Sequence, residues 1–385
     1  MGGSRAMSLR LTIRRSTARS AGLIGGALVA LVAGATVTVG AESYQPAVLY
    51  TESNAAAAQG GNAILAFRAQ SDDVIPFASF ATGGAGTGTA LGSQGALALA
   101  ASGQRLVAVN AGTDTVSAFA VESDGNLRLL DTAPSGGTDP ISVTVWGQLV
   151  EVLNAGSSTV SGLWLGAGGL HPLTMAAATA SLSVGASSPE QVSFTPDGSR
   201  LVVTEKGSST IDTFSVGAGG SLGSAVTTPA TGAAPYGFGF DRSGDLVVSD
   251  AAGGPDGTSA VTTYRIEKGG MLDWISDVAD GQDAACWLIV NPSGNRAYTA
   301  NAASGTISSY DVGAFGHLTL RASVAATTGG HPVDLAISGS TLYDLVSPQG
   351  EIATAPILPG GDLGTATHPV TGLPASATGL VAATP

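Results

Sequence analysis

A phrase of about 50 residues recurs along this chain, and it limits the fold more than any other feature. Each copy holds an apolar run ending on a polar residue, a loop of small residues, and a second β-rich run. One copy reads Leu106-Val-Ala-Val-Asn110 and then Thr115-Val-Ser-Ala-Phe119. It returns as Leu149-Val-Glu-Val-Leu-Asn154, Leu201-Val-Val-Thr-Glu205, Leu246-Val-Val-Ser-Asp250 and Ala297-Tyr-Thr-Ala-Asn301, each with its partner run. Val48-Leu-Tyr-Thr-Glu52 begins the series and a degenerate copy at Thr341-Leu-Tyr343 ends it. Turn signals such as Pro196-Asp-Gly198 and Pro292-Ser-Gly294 supply the left-handed backbone that tight hairpins need. Short strands repeating with this period describe the blades of a β-propeller. No stretch of residues 42–385 sustains a helical period. The chain is therefore predicted to be all-β: one seven-bladed propeller over 42–385, with four antiparallel strands per blade. The first copy lacks room for an inner strand, and Ala377–Ala383 has the pattern of one. The C-terminal strand is thus expected to enter the first blade and close the ring, removing two open edges.

The first 41 residues differ from the rest. Arg5, Arg10, Arg14, Arg15 and Arg19 precede an uncharged run from Ala21 to Ala41, the order of a secretory signal. Cleavage is expected after Ala41, giving a secreted or extracytoplasmic protein. The alternative is an uncleaved membrane anchor, because about 20 residues can span a bilayer. The remainder carries 10 basic against 28 acidic residues, and so acidic a surface repels phosphate backbones and excludes nucleic acid as a partner. A single Cys286 rules out an intramolecular disulfide and a cysteine-cluster zinc site. A monomer is expected.

The fourth copy, Ser193-Phe-Thr-Pro-Asp-Gly-Ser-Arg-Leu-Val-Val-Thr-Glu205-Lys-Gly-Ser-Ser-Thr-Ile211, resembles the blade phrase F-x-P-D-G-r-x-x-y-v-x-N-E-x-x-S-t-v of the lactonase family of seven-bladed propellers. Val290-Asn-Pro-Ser-Gly-Asn-Arg-Ala-Tyr-Thr-Ala-Asn301 is similar. That family includes 6-phosphogluconolactonase and carboxy-cis,cis-muconate cyclase. The resemblance covers nearly all of residues 44–383 and implies lactone ring opening or closing, with Glu205 at the place of the family Glu. Where the family has Pro-Arg-His, this chain has Pro189-Glu190-Gln191, so an amide stands for the imidazole.

The start of a blade's first strand and the end of its second lie at one face, because the two are antiparallel neighbours. Glu52, Asn110, Asn154, Glu205, Asp250 and Asn301 are therefore expected near the mouth of the axial channel, with Gln94, Ser142, Glu190, Gln191, Tyr236, Gly237, Cys286 and Asp334 from strand starts. Two readings of this polar series stay open. Asn and Asp cap turns through their own backbone. Alternatively, the oxygens form a ring that binds a lactone or sugar-like ligand, or a Ca²⁺ ion on Glu52, Glu205 and Asp250. For catalysis, Glu205 is the expected base, with Gln191 and His331 as the other candidate catalytic groups. Strand alternation sends Lys206 away from the channel, which leaves the mouth without a cation. The rival to an enzyme is a non-catalytic ligand- or partner-binding propeller of the cell envelope.

Overall fold

The computed structural model describes residues 47–70, 73–185, 187–252 and 257–383. The segment expected to be a signal peptide, residues 1–41, lies outside the described residues.

Among the described residues the strands form seven sheets. The fourth shows the pattern: Pro189–Phe194, Arg200–Glu205, Thr210–Ser215 and Val226–Pro229 run antiparallel from the axis outward. The third blade carries one extra short strand, Thr179–Ser181, on its third strand. Ring closure is as expected from the sequence. Thr378–Ala383 pairs antiparallel with Ala47–Glu52 and becomes the inner strand of the first blade.

The apolar runs are almost unbroken because both faces of each blade are covered. Side chains alternate across a strand, so successive residues serve opposite neighbours. Leu201 and Val203 pack with Ile141 and Leu153 of the third blade, whereas Val202 packs with Phe238 and Val248 of the fifth. Leu246 and Val248 face the fourth blade, and Val247 faces Leu288 and Tyr310 of the sixth. The core is thus a series of interblade layers rather than one centre.

The inner strands are stitched to one another around the axis. Gln191 clamps Phe238 of the next blade, donating to its carbonyl at 3.1 Å and accepting from its amide at 2.7 Å. Gln94 makes the same amide pair with Leu288 on the far side of the axis, at 2.7 and 3.0 Å. Gly237 allows this, because a Cβ there would meet Gln94 Oε1 at 2.0 Å. Asp334 accepts from the amide of Gly379 at 2.8 Å, tying the seventh blade to the closing strand.

Candidate active site

In the third to sixth blades the inner strand opens with a small backbone device that sets the mouth. Asp139, Ser188, Ala234 and Ala284 have positive φ, between 50° and 57°. Pro140, Pro189, Pro235 or Ala285 follows, and then the register slips against the second strand. Such a bulge turns a side chain off the ladder. The turned residues, Ile141, Glu190, Tyr236 and Cys286, all line a cavity of about 650 Å³. The opposite wall has an equally regular origin. The residue after each second strand donates its amide to the positive-φ residue: Ala155 to Asp139, Lys206 to Ser188, Ala251 to Ala234, Ala302 to Ala284, at 2.8–3.1 Å. Three of these four wall residues are methyl groups, and the fourth is Lys206.

The cavity floor is a segment that crosses the axis. Tyr236 donates its hydroxyl to the carbonyl of Gly92, and Trp287 Nε1 donates to Ser93 at 3.0 Å. The amide of Gln94 donates to the carbonyl of Glu190 at 3.1 Å. Residues 92–94, on the way into the second blade, are thereby fastened to the fourth, fifth and sixth.

Within this cavity Lys206 Nζ lies 2.5 Å from Glu190 Oε1. The ammonium also sits over the Tyr236 ring, 4.9 Å from its centre, and that ring packs on Trp287 at 5.0 Å. Glu190 is 3% exposed. Burial pushes its carboxyl up to about 7, even though Lys206 and the Tyr236 hydroxyl pull it down. The result is a carboxylate that changes charge near neutrality, held against a cation in a largely apolar hollow. Such a pair suits general-base work beside a developing negative charge. Burial drives the Cys286 thiol up to about 12, so it is a thiol and a poor nucleophile at neutral pH. His331 stands on the rim, and burial lowers its pKa, which leaves it neutral.

The polar series falls elsewhere. Glu52, Asn110, Asn154, Glu205, Asp250 and Asn301 are at most 1% exposed, and none of them lines this cavity. They face their own third strands. Asn110, Asn154 and Asn301 each donate to a serine hydroxyl seven residues on, Ser117, Ser161 and Ser308, at 2.8 Å. Those serines pass the bond to the carbonyls of Thr82, Ser135 and Ser323. Asp250 accepts from Thr262, and Glu52 from Asn62 at 3.2 Å. The expected ring of oxygens aimed into the channel is therefore corrected to a set of locks inside the blades. The hydroxyl partner comes from the neighbouring strand, not from the turn that a capping role would use. Gln191 and Asp334 are likewise occupied by backbone groups of neighbouring blades. Glu52, Glu205 and Asp250 stand in three different blades, and among the described residues no three His, Cys, Asp or Glu side chains come together to hold a metal. This donor set does not fit Ca²⁺.

Register, not alternation, sets the places of Glu205 and Lys206. In the first six blades the polar landmark is the last residue of the second strand, so Glu205 is the counterpart of Asn154 and Asn301. Counting back from Ser209-Thr210-Ile211, Lys206 and not Glu205 takes the place of the Glu in the blade phrase. Alternation cannot send Lys206 away, because the strand ends one residue earlier. Its amide is then held by Ser188 at 3.0 Å, which aims it into the mouth. The bulge likewise brings Glu190, rather than Gln191, into the cavity.

Glu205 has a stability role that can be read by pH. Burial, with the Asp212 carboxylate beside it, pushes Glu205 from 4.5 up to about 8. The folded state keeps a proton that the unfolded chain releases, so the contribution is full below pH 4.5 and lost as pH rises through about 8. Asp250 and Asp334, both raised by burial to about 7, act in the same direction. Calorimetry should show the wild type melting lower at pH 9 than at pH 5. Glu205→Gln should recover part of that loss, by several degrees; an equal loss in both proteins contradicts the assignment.

The fold and mouth define a seven-bladed propeller with an acid–cation pair at one end of its axis. Residues 152–253 match the family model "Lactonase, 7-bladed beta-propeller", and the resemblance read from the blade phrase holds. A candidate 6-phosphogluconolactonase from Bacteroides fragilis is 20% identical, with a TM-score of 0.68 over 89% of this chain and 99% of its own. The periplasmic gluconolactonase of Pseudomonas aeruginosa is 17% identical, with a TM-score of 0.65 over 88% of this chain and 100% of its own. A protein from Lactobacillus plantarum gives 19%, 0.68, 88% and 99%. At these identities the likeness is one of fold. No curated protein matches the sequence.

Proposed function

We propose that this protein hydrolyses a lactone at the propeller mouth, with Glu190 as general base and Lys206 as the oxyanion's partner. The observation that carries the reading is the 2.5 Å Lys206–Glu190 contact inside a hollow where the other second-strand ends present only Ala155, Ala251 and Ala302. Glu190 takes a proton from water as the water oxygen attacks the lactone carbonyl carbon. Lys206 has three N–H donors and spends one on Glu190, leaving others for the carbonyl oxygen as it gains charge. When the ring C–O bond breaks, the alkoxide recovers the proton from Glu190. The products are a hydroxy acid and the resting pair, and no metal takes part.

A panel of lactones assayed with and without chelator tests this. Turnover indifferent to chelator, with kcat/KM rising as pH passes about 7, is the expected result. Lys206→Met should move that midpoint upward, because Lys206 holds the Glu190 carboxyl down; an unmoved midpoint contradicts the pairing.

One observation favours a second reading, a binding propeller without catalysis. Gln191 stands where the family has its His, and both ends of its amide are engaged by Phe238. Lactones that raise the melting temperature yet are never opened would establish that reading. Export is supported by the basic-then-apolar order of residues 5–41. N-terminal sequencing of protein recovered outside the cytoplasm should begin at Glu42.

A further inference from the structure

We infer that the ligand of this site is a lactone carrying an uncharged apolar arm, and that the arm lies in a second lobe of the mouth. The inference rests on the proposed site, and it names the class of compound the site takes. A cavity of about 390 Å³ adjoins the first and shares Gly92, Trp287 and His331 with it. Beyond that common wall it is lined by Val333, Pro348, Ala90, Ala375 and Ala377, with the small hydroxyls of Thr89, Ser347 and Thr378. The lobe contains no Asp, Glu, Lys or Arg.

Charge separates the ligand classes. The chain from residue 42 onward has 10 Lys and Arg residues. Among them only Lys206 lines either lobe, and it is already paired with Glu190. The other charged groups of the first lobe are acids, Asp139 and Glu190. A phosphate ester entering here would lose water and meet carboxylates, with the one cation, Lys206, already committed to Glu190 and the lactone carbonyl, which is costly. An alkyl arm displaces water from methyl groups, proline and the indole, which is favourable in proportion to the area covered. With the lactone carbonyl at Lys206, the shared wall of Gly92 and Trp287 leads a ring substituent directly into the second lobe.

The test is calorimetric binding to the full-length Glu190→Gln protein, which separates affinity from turnover. The probes are γ-butyrolactone, γ-octalactone with its butyl arm, glucono-1,5-lactone and glucono-1,5-lactone 6-phosphate. Each buried methylene is worth about threefold to fourfold in affinity, so γ-octalactone should bind at least ~10-fold tighter than γ-butyrolactone. The 6-phosphate should bind no better than its parent. Ala375→Trp and Ala90→Trp, two separate fillings of the lobe at exposed positions, should each collapse the ratio of the two γ-lactones toward one. Equal affinity for the two γ-lactones, tighter binding of the phosphate, or no binding of any probe overturns the inference. Arm-dependent binding without hydrolysis by the wild type leaves this inference standing and removes the catalytic one. Hydrolysis without arm preference does the reverse.

Discussion

Glu190→Gln should lower kcat/KM for lactone opening by about 10²–10⁴-fold, the usual worth of a positioned general base. The substitution keeps the side-chain shape and leaves an amide oxygen to accept from Lys206, so the geometry survives while the base is lost. The melting temperature should stay within a few degrees of wild type. The pair it alters is partly exposed on the Lys206 side, with that side chain 40% accessible, and such pairs contribute little to stability. Turnover above one tenth of wild type would assign the base elsewhere.

Ending the chain after Pro374 should have the largest effect on stability. The cut removes Thr378–Ala383 and bares the inner edge of Ala47–Glu52. It also takes away buried Ala377, Leu380 and Ala383 from the interblade layers. Asp334 loses the Gly379 amide, and Ser53 loses the Ser376 hydroxyl that donates to its carbonyl at 2.6 Å. Several apolar contacts and a row of ladder bonds together are comparable with the roughly 5–15 kcal/mol that holds a typical domain folded. A fall in melting temperature of at least ~10 °C, or elution as aggregates from the bare edge, is the expected outcome. A truncated protein that stays monomeric with an unchanged melting temperature would show that the closing strand is dispensable.

The blades were legible because their signal is local and repeated. Leu201-Val-Val and Leu246-Val-Val announce strands covered on both faces, and the missing first inner strand located the closure. The mouth was legible only in part. Glu190, Tyr236 and Cys286 fall at the mouth, where antiparallel pairing puts strand starts, with His331 beside them, but the inward aim of Glu190 and Lys206 comes from features outside regular strand geometry. One sits on a bulge, and the other sits one residue past a strand end, where alternation no longer applies. A signal for both was present in the third to sixth blades: a proline or alanine opening the inner strand, and a residue following the polar landmark that is alanine everywhere except at Lys206. Its strand start places Gln94 near the mouth, but the contacts of the floor across the axis gave no such signal. Gly92 and Gln94 meet Tyr236 and Leu288 across 144 and 194 residues of sequence. The tryptophans divide: Trp287 is buried in the mouth, Trp146 lies against Phe194 of the next blade with ring centres 6.5 Å apart, and Trp164 and Trp274 are exposed.

A crystal structure of Glu190→Gln with γ-octalactone reads the central claim directly. The account predicts the carbonyl oxygen within hydrogen-bond reach of Lys206 Nζ, at about 3 Å, and the butyl arm beside Val333 and Pro348. A lactone bound at Glu205, at the opposite end of the axis, or with its arm in solvent would contradict it.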